Sequence, residues 1–418
     1  MIQRDEFGAE EIIARINASS LHPFSSRANQ PWLFDFVDLM ASYYALDRFA
    51  LRGADRWARH FIIKYPVRQH RAEAWHYAAP ILRDLLLRIT GDVVEIVAVP
   101  WEGTADRISH PVLPLNQEGS SVGLFSDGLD SLCGLDVAIA DKRDIVWASI
   151  TTGHKGKRIR ETLDRSAVPA ERRYSMSLML GKGQNDKEHT QRSRTAVAIA
   201  MGMTLAYALD GAAVECYENG HGILNLPIPD LQYGSMSSQA LNPSALPLWD
   251  TLTRILFGQT IELRFPNRFR TKGEMMRILS PTGRALIAAT SSCDSERRLP
   301  GGEQQCGSCG SCVIRKISMR VAGIGDPTRY ANVPPLVNVP RLLDYHATLL
   351  QHSLTSKDPW ASLNLLHHEL AGVDRSDDER LRRSTSSQTP QALRDATVNL
   401  LMRYVNEIKE WLRADYAA

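Results

Sequence analysis

What the chain lacks narrows its class first. No apolar run approaches the roughly 18 residues that a membrane-crossing helix needs, which excludes an integral helical membrane protein. The opening Met1-Ile-Gln-Arg-Asp-Glu6 has no apolar core of a signal peptide, so a cytoplasmic location is expected. Neither sign of charge dominates. The 49 Lys and Arg against 47 Asp and Glu leave a net charge of +2, which gives no overall basic signature for nucleic acid. Cysteine is scarce except in one place: of six, Cys293, Cys306, Cys309 and Cys312 fall within twenty residues. In a reducing compartment such clustering argues for metal over disulfides. At 418 residues the chain can build two or three domains, or one elaborated core.

Against that background one stretch organises the rest, Val122-Gly-Leu-Phe-Ser-Asp-Gly-Leu-Asp-Ser-Leu-Cys133. A short apolar run reads as a buried strand, Ser126 to Ser131 as a tight polar loop, and about Ser131 to Ala140 as a helix. Strand, loop and helix N-terminus together make a phosphate-binding geometry, because the first helical amides lack intrahelical partners and the dipole adds positive potential. Gly128 lets backbone approach an anion. Ser126 and Ser131 offer hydroxyls, and Asp130 can cap the helix or hold a metal or an amide. The stretch is not the GxxxxGK[ST] loop.

From residue 122 strands and helices alternate, as a parallel α/β sheet requires. Ligands of such sheets bind at the carboxyl ends of strands. Gly153 and His154 stand at one such end, after the strand 144–150. Arg192 and Arg194 open the helix 196–208, where the dipole prefers anions; an arginine there serves a bound carboxylate or phosphate, or simply reaches water. Glu218 and Asn219 follow the strand 212–216, with Asn225 and Asp230 beyond it. A carboxylate suits an amidine-like N–H pair such as a guanine edge, and an amide reads carbonyl and amine together; an Asx turn and solvated loops are the plainer alternatives. Thr271-Lys-Gly-Glu274 has the pattern of a helix cap and reads most simply as structural.

Cys293-x12-Cys306-Gly-Ser-Cys309-Gly-Ser-Cys312 is the most specific signal. Two-residue spacers with glycine make the tight turns that aim neighbouring sulfurs at one ion, and four thiolates close a tetrahedron around Zn²⁺. A closed site is structural, since catalytic zinc keeps an open position. Cys133 and Cys216 read as buried core thiols.

The loop resembles the SGGxDS loop of PP-loop ATP pyrophosphatases, which adenylate their substrates. Asp127 stands where that family has glycine. Aspartate tolerates a left-handed backbone, and Mg²⁺ would relieve its repulsion of a triphosphate. The loop, the Gly153-His154 pair, the TKxE helix and the cysteine knuckle followed by Arg315 together resemble the QueC family, the 7-cyano-7-deazaguanine synthases, over about residues 120–325. Glu218-Asn-Gly220, Leu224-Asn-Leu-Pro227 and the long flanking parts resemble its defence-associated branch, which includes QatC and the QueC-like proteins of type IV CBASS. The resemblance implies a PP-loop core (adenine nucleotide alpha hydrolase-like) that activates 7-carboxy-7-deazaguanine with ATP. It implies nucleotide and Mg²⁺ at Ser126, Asp127, Gly128, Leu129, Gly153 and His154, with Asp130, Ser131 and Arg194 catalytic. Glu218, Asn219, Asn225 and Asp230 would hold the deazaguanine. Relatives carry Arg-Asn where this chain has Arg194-Thr195. A protein amine of the same defence system is an alternative to ammonia as nucleophile, and a homodimer is open. Two other readings stand beside this one: a catalytically weak nucleotide-binding scaffold, which Asp127 favours, and tRNA or sulfur-transfer chemistry, which the lack of a basic patch and of a spare cysteine pair disfavours.

The expected organisation is α/β with four parts: an N-terminal α+β extension (1–115), the core (120–292), the knuckle (293–325) and a helical C-terminal region (326–418). In the first, Glu10 to Ala18 has helical spacing, 59–67 and 92–99 read as strands, and 72–89 as an amphipathic helix with Trp75, Ala79, Leu82, Leu85 and Leu86 on one face. In the last, helices are expected at 342–353, 361–370 and 390–415. The final one carries a stripe of Leu393, Val398, Leu401, Val405, Ile408 and Leu412, suited to its own core or to a partner.

Overall fold

The computed structural model describes residues 14–17, 31–53, 58–67, 72–100, 119–151, 154–180, 188, 190, 192–226, 228, 239–293, 305–331, 338–366, 370 and 390–416. From its composition the sequence also predicts a turn-rich break at 23–31, a linker at 111–121, a polar stretch at 181–189 and a Ser/Thr-rich loop at 376–390; these lie wholly or mostly outside the described residues, as do Gly153 and Asp230.

A parallel sheet forms where the strand–helix alternation predicts it. Its strands are β4 (Ser121–Leu124), β5 (Ile145–Thr151), β6 (Arg173–Leu180), β7 (Ala213–Glu215) and β8 (Glu262–Arg264). β1 (Ala14–Asn17) adds an antiparallel edge, for a sheet order of β1-β6-β5-β4-β7-β8. The chain therefore runs from β4 outward to β5 and β6, then returns to β7 and β8 on the other side. β4 is the point where the strand order reverses, and open sheets of this kind take ligands outside the strands' carboxyl ends at such a point. Residues 14–17 correct the helical reading of Glu10 to Ala18: pairing Ala14 with Leu180 through Asn17 with Ser177 satisfies a sheet edge, which local spacing cannot foresee.

Crossover helices cover the sheet: α3 (Leu129–Ala140), α4 (His154–Arg165) and α5 (Arg194–Ala208). α1 (Asp35–Phe49) packs on α5 and is buried at nearly every position, which explains its apolar, aromatic composition. β2 (His60–Val67), α2 (Ala72–Thr90) and β3 (Val93–Pro100) form a β–α–β unit whose strands pair in parallel from His60↔Val93 to Val67↔Pro100. The buried face of α2 is Trp75, Ala78, Leu82, Leu85, Leu86 and Ile89, so Ala78 replaces the expected Ala79. This unit and α1 share one continuous apolar core with the main sheet.

Beyond β7 come the short α6 (Gly220–Leu224), then α7 (Leu246–Phe257), α8 (Lys272–Arg277) and α9 (Pro281–Leu286). α10 (Gly310–Val321) follows the knuckle, and α11 (Val339–Leu354), α12 (Pro359–Leu366) and α13 (Pro390–Tyr416) end the described chain. α6, α10, α11, α12 and α13 enclose a second core that contains Leu224, Ile317, Leu343, Leu401, Val405 and Ile408. The stripe on α13 thus docks on the molecule's own core. Among the described residues no helix is long and apolar enough to cross a membrane.

Candidate functional site

α3 begins at Leu129, two residues earlier than its sequence pattern suggests. Gly128 takes the N-cap position in extended backbone (φ −84°, ψ 160°) and gives no side-chain cap. Asp130 therefore lies within the first turn and does not cap. The first helical bond runs from Leu132 N to Gly128 O (3.2 Å), which leaves the amides of Leu129, Asp130 and Ser131 without helical partners. Leu129 turns its side chain into a core with Met275 and Met276, so only its backbone faces the loop. Serines draw the loop shut. Ser126 N donates to Ser131 Oγ (3.1 Å), the two hydroxyls bond each other (3.0 Å), and Gly128 N donates to Ser126 Oγ (3.2 Å). No loop residue has a positive φ, so Asp127 does not take the left-handed backbone expected for a replaced glycine, and it costs no strain there. Its carboxylate is held by Arg158 of α4.

Three elements meet over the first turn of α3. Asp130 Oδ2 accepts from Asn219 Nδ2 (2.9 Å) and pairs with Lys272 Nζ (3.3 Å). Asn219 also donates to Glu218 Oε1 (2.8 Å), while its Oδ1 accepts from Gly222 N (3.0 Å) as the N-cap of α6. One amide thus serves the Asx cap and links two carboxyl groups. Gly222 lies close to the cluster: a Cβ there would sit 2.4 Å from Glu218 Oε1 and would displace that carboxyl. The protons follow from the charges. Burial opposes ionisation of Asp130, but Lys272 and hydrogen bonds from Glu218 and Asn219 outweigh it and hold the carboxyl below its ordinary range. Burial, then the neighbouring Asp130 carboxylate, push Glu218 well above its ordinary range. Burial disfavours the Lys272 ammonium, yet Asp130 and Glu218 keep it charged. Burial and the Asp130 carboxylate thus favour the protonated form of Glu218, while Asp130 and Lys272 favour each other's charged forms. Asp130 Oδ1 and Ser291 Oγ are buried with no hydrogen-bond partner. An orphan carboxylate oxygen beside unpaired amides fits a hydrated Mg²⁺ carried by a polyphosphate.

The structure brings Ser126, Asp127, Gly128, Leu129, Asp130, Ser131, Glu218 and Asn219 together. Arg194 stands exposed at the start of α5, after Ser193, which donates to Asp47 Oδ2 (2.6 Å); its neighbour Arg192 is buried and donates to Thr90 O (2.6 Å). Asn225 ends α6 in the left-handed region (φ 52°), a backbone role. His154 opens α4, and its side chain lies outside the described residues. Sequence reasoning gave no site role to Lys272, Arg158 or Ser291. Lys272 was visible as part of the TKxE motif and of a capping box, read as structural, and the box does form: Thr271 Oγ1 accepts from Glu274 N (3.1 Å) and Thr271 N donates to Glu274 Oε2 (2.8 Å).

The four knuckle sulfurs lie within 4.8 Å of one another. Tetrahedral Zn–S bonds of about 2.3 Å place sulfurs about 3.8 Å apart, so the set suits that ion. Amides orient it, with Cys306 N directed at Cys293 Sγ (3.3 Å) and Cys309 N at Cys306 Sγ (3.3 Å). Gly307 has φ 82° and lies against Tyr330, where a Cβ would come within 3.1 Å. Arg315 of α10, fully buried, donates to Thr290 Oγ1 (2.9 Å), Thr328 Oγ1 (2.9 Å) and Ile287 O (3.0 Å). Next to Thr290, Ser291 N donates to Asp127 O (2.7 Å). The knuckle is thereby connected to the loop through one short segment.

No family model matches the chain. Curated relatives do. Over 75 residues, 18% of this chain, it is 39% identical to a 7-cyano-7-deazaguanine synthase of Desulfitobacterium hafniense strain DSM 10664 / DCB-2. It is 37% identical over 75 residues to 7-cyano-7-deazaguanine synthase 2 of strain Y51. Each match spans 30% of the relative's length. A third, longer match to the 7-cyano-7-deazaguanine synthase of Hahella chejuensis strain KCTC 2396 is 22% identical over 232 residues, which is 51% of this chain and 94% of that protein. About half of this chain has no counterpart in it.

Proposed function

We propose that this chain activates the carboxylate of a 7-carboxy-7-deazaguanine-like substrate with ATP, in the manner of the synthases it resembles. The observation that carries the reading is the Asp130–Asn219–Glu218–Lys272 cluster, set under a serine-closed loop at the strand-order switch point. In this reading Ser126, Ser131 and the amides of 129–131 bind the phosphates. Asp130, through its orphan oxygen, would hold a Mg²⁺ ion, which would shield their charge. Lys272 offsets the charge that develops as the bond breaks. The substrate carboxylate oxygen attacks the α-phosphorus, the bond from that phosphorus to the β-phosphate's bridging oxygen breaks, and pyrophosphate leaves. A nitrogen nucleophile then opens the acyl-adenylate to an amide and releases AMP; loss of water from a primary amide gives a nitrile. Protonated Glu218 can donate to a carbonyl of the bound ring and, once ionised, accept an N–H pair. The knuckle residues Cys293, Cys306, Cys309 and Cys312 hold structural zinc.

The finer reading is defence chemistry, in which a partner's amine replaces ammonia and the deazaguanine becomes attached to a protein. The half of the chain without a counterpart in the longest match supports it. The test is pyrophosphate release from ATP with and without 7-carboxy-7-deazaguanine, comparing wild type with Asp130→Ala. Release that depends on the carboxylate and is lost in the variant establishes adenylation. No release from the zinc-loaded, folded chain sinks it in favour of a nucleotide-binding scaffold. An unchanged partner mass after incubation with enzyme, ATP and substrate would count against conjugation.

A further inference from the structure

A carboxylate at position 127 stands in the loop whose following amides are offered to phosphates, and alone it would repel them. The fold supplies a cation from another element. Arg158 lies in the second turn of α4, the helix that starts at the carboxyl end of β5. It donates Nε (3.0 Å) and Nη2 (2.5 Å) to the same oxygen, Asp127 Oδ2. Asp127 is fixed from its other side as well, because its carbonyl accepts from Ser291 N (2.7 Å). The exposures are unequal: the Arg158 side chain keeps 14% and the Asp127 side chain 6%.

We infer that Asp127 is a positioning residue: it anchors the Arg158 guanidinium beside the loop as a binding group for the β- and γ-phosphates of a nucleoside triphosphate. A guanidinium can bond a carboxylate and a phosphate at once, because its five N–H groups spread over a planar fork. A neutralised carboxylate no longer repels polyphosphate, and a tethered arginine loses less side-chain entropy when phosphate arrives. A glycine at 127 would remove the anchor and leave Arg158 to find the phosphates unaided. The inference rests on the nucleotide-binding reading of the loop.

The test is titration calorimetry of the full zinc-loaded chain with MgATP and with AMP. It compares wild type, Asp127→Gly, Asp127→Asn, Arg158→Ala, Arg158→Lys and the double variant Asp127→Gly/Arg158→Ala, each checked for an intact thermal transition. The expected result is that Asp127→Gly and Asp127→Asn weaken MgATP by about tenfold, and Arg158→Ala by as much or more, from loss of a charge-assisted contact. The double variant should be no weaker than Arg158→Ala alone. Arg158→Lys, which keeps charge and loses the fork, should fall between. AMP, which lacks the outer phosphates, should change little throughout. Tighter or equal MgATP binding by Asp127→Gly would overturn the inference, since the carboxylate would then be only a repulsive burden. Equal weakening of ATP and AMP would also overturn it, by showing a general loop distortion. Wild type that binds neither nucleotide would overturn the nucleotide-binding reading itself.

Discussion

Lys272 shows how a residue's role depends on what surrounds it. In the chain it is the second residue of a capping box; in the fold its ammonium sits 3.3 Å from Asp130 Oδ2. Lys272→Met should therefore leave α8 capped by Thr271 and Glu274 but cut substrate-dependent pyrophosphate release by about two orders of magnitude, the typical effect of losing a group that stabilises developing charge. Steady-state pyrophosphate-release assays would check it, and near-wild-type rates would remove Lys272 from the mechanism. The two carboxyls should respond in opposite ways to pH. Asp130 is held below its ordinary range, so the stability it contributes is present above its unfolded pKa and lost as pH falls through its folded one. Glu218 is held above its ordinary range, so it costs stability as pH rises past its unfolded value. Glu218→Gln, which imitates the protonated acid, should raise the thermal midpoint relative to wild type as pH goes from 5 to 8. Asp130→Asn should lower it across that range. Thermal unfolding at several pH values reads both. Residues 126–131 and the cysteines were legible because their chemistry is local to a short stretch. Arg158 was not, because 31 residues separate it from the Asp127 that it serves.

At the scale of elements, α13 looked like an amphipathic helix with two destinations, and packing decided between them. Its apolar stripe enters the second core, and its polar side holds the site's framework. Arg403 pairs with Glu274 Oε1 (2.7 Å) and donates to Phe269 O (2.7 Å), while the Tyr404 ring stacks on His221 of α6 at 3.9 Å. Thr271 Oγ1 donates to Glu407 Oε1 (2.5 Å), at the start of the helix that carries Lys272. Burial pushes Glu407 up to about 7, an effect only partly offset by the Thr271 hydroxyl. A pKa raised on folding means that the folded chain holds this proton more tightly. Stability is then full below about 4.5 and declines as pH rises to about 7. The loss is on the order of 3.5 kcal/mol at most, from about 1.4 kcal/mol per unit. Glu407→Gln keeps an acceptor for Thr271 and should flatten this decline. Its thermal midpoint should exceed that of wild type at pH 8 and converge with it near pH 4.5. A parallel pH dependence in the two proteins would show that Glu407 does not titrate in this window. β1 is the opposite case: its short segment has helical spacing, and only the edge of β6 makes it a strand.

For the whole molecule, the knuckle and the C-terminal helices act as parts of one scaffold. Arg315 ties α10 to Thr290, and Ser291 ties that segment to the loop. Removal of the metal by a chelator, or Cys309→Ser, should release zinc at one equivalent per chain, lower the thermal midpoint and abolish pyrophosphate release together. Metal analysis beside thermal unfolding would check the coupling; full activity in the metal-free chain would break it. Truncation after residue 389 removes α13 and exposes Leu343, Leu350 and Ile317, so the shortened chain should aggregate or lose its cooperative transition. A soluble, active truncated chain would mean that α13 is dispensable. The sequence by itself determined the alternation of strands and helices, the serine-rich turn after β4 and the four-thiolate knuckle. Each of these is written in periodicity or in spacing over a few residues. Only the tertiary structure decided that β4 is where the strand order reverses, that Asp130, Glu218 and Lys272 share one buried cluster, and that α13 supports it. Burial and Coulomb interaction depend on distance in space, and the groups involved lie 54 to 142 residues from one another in the chain.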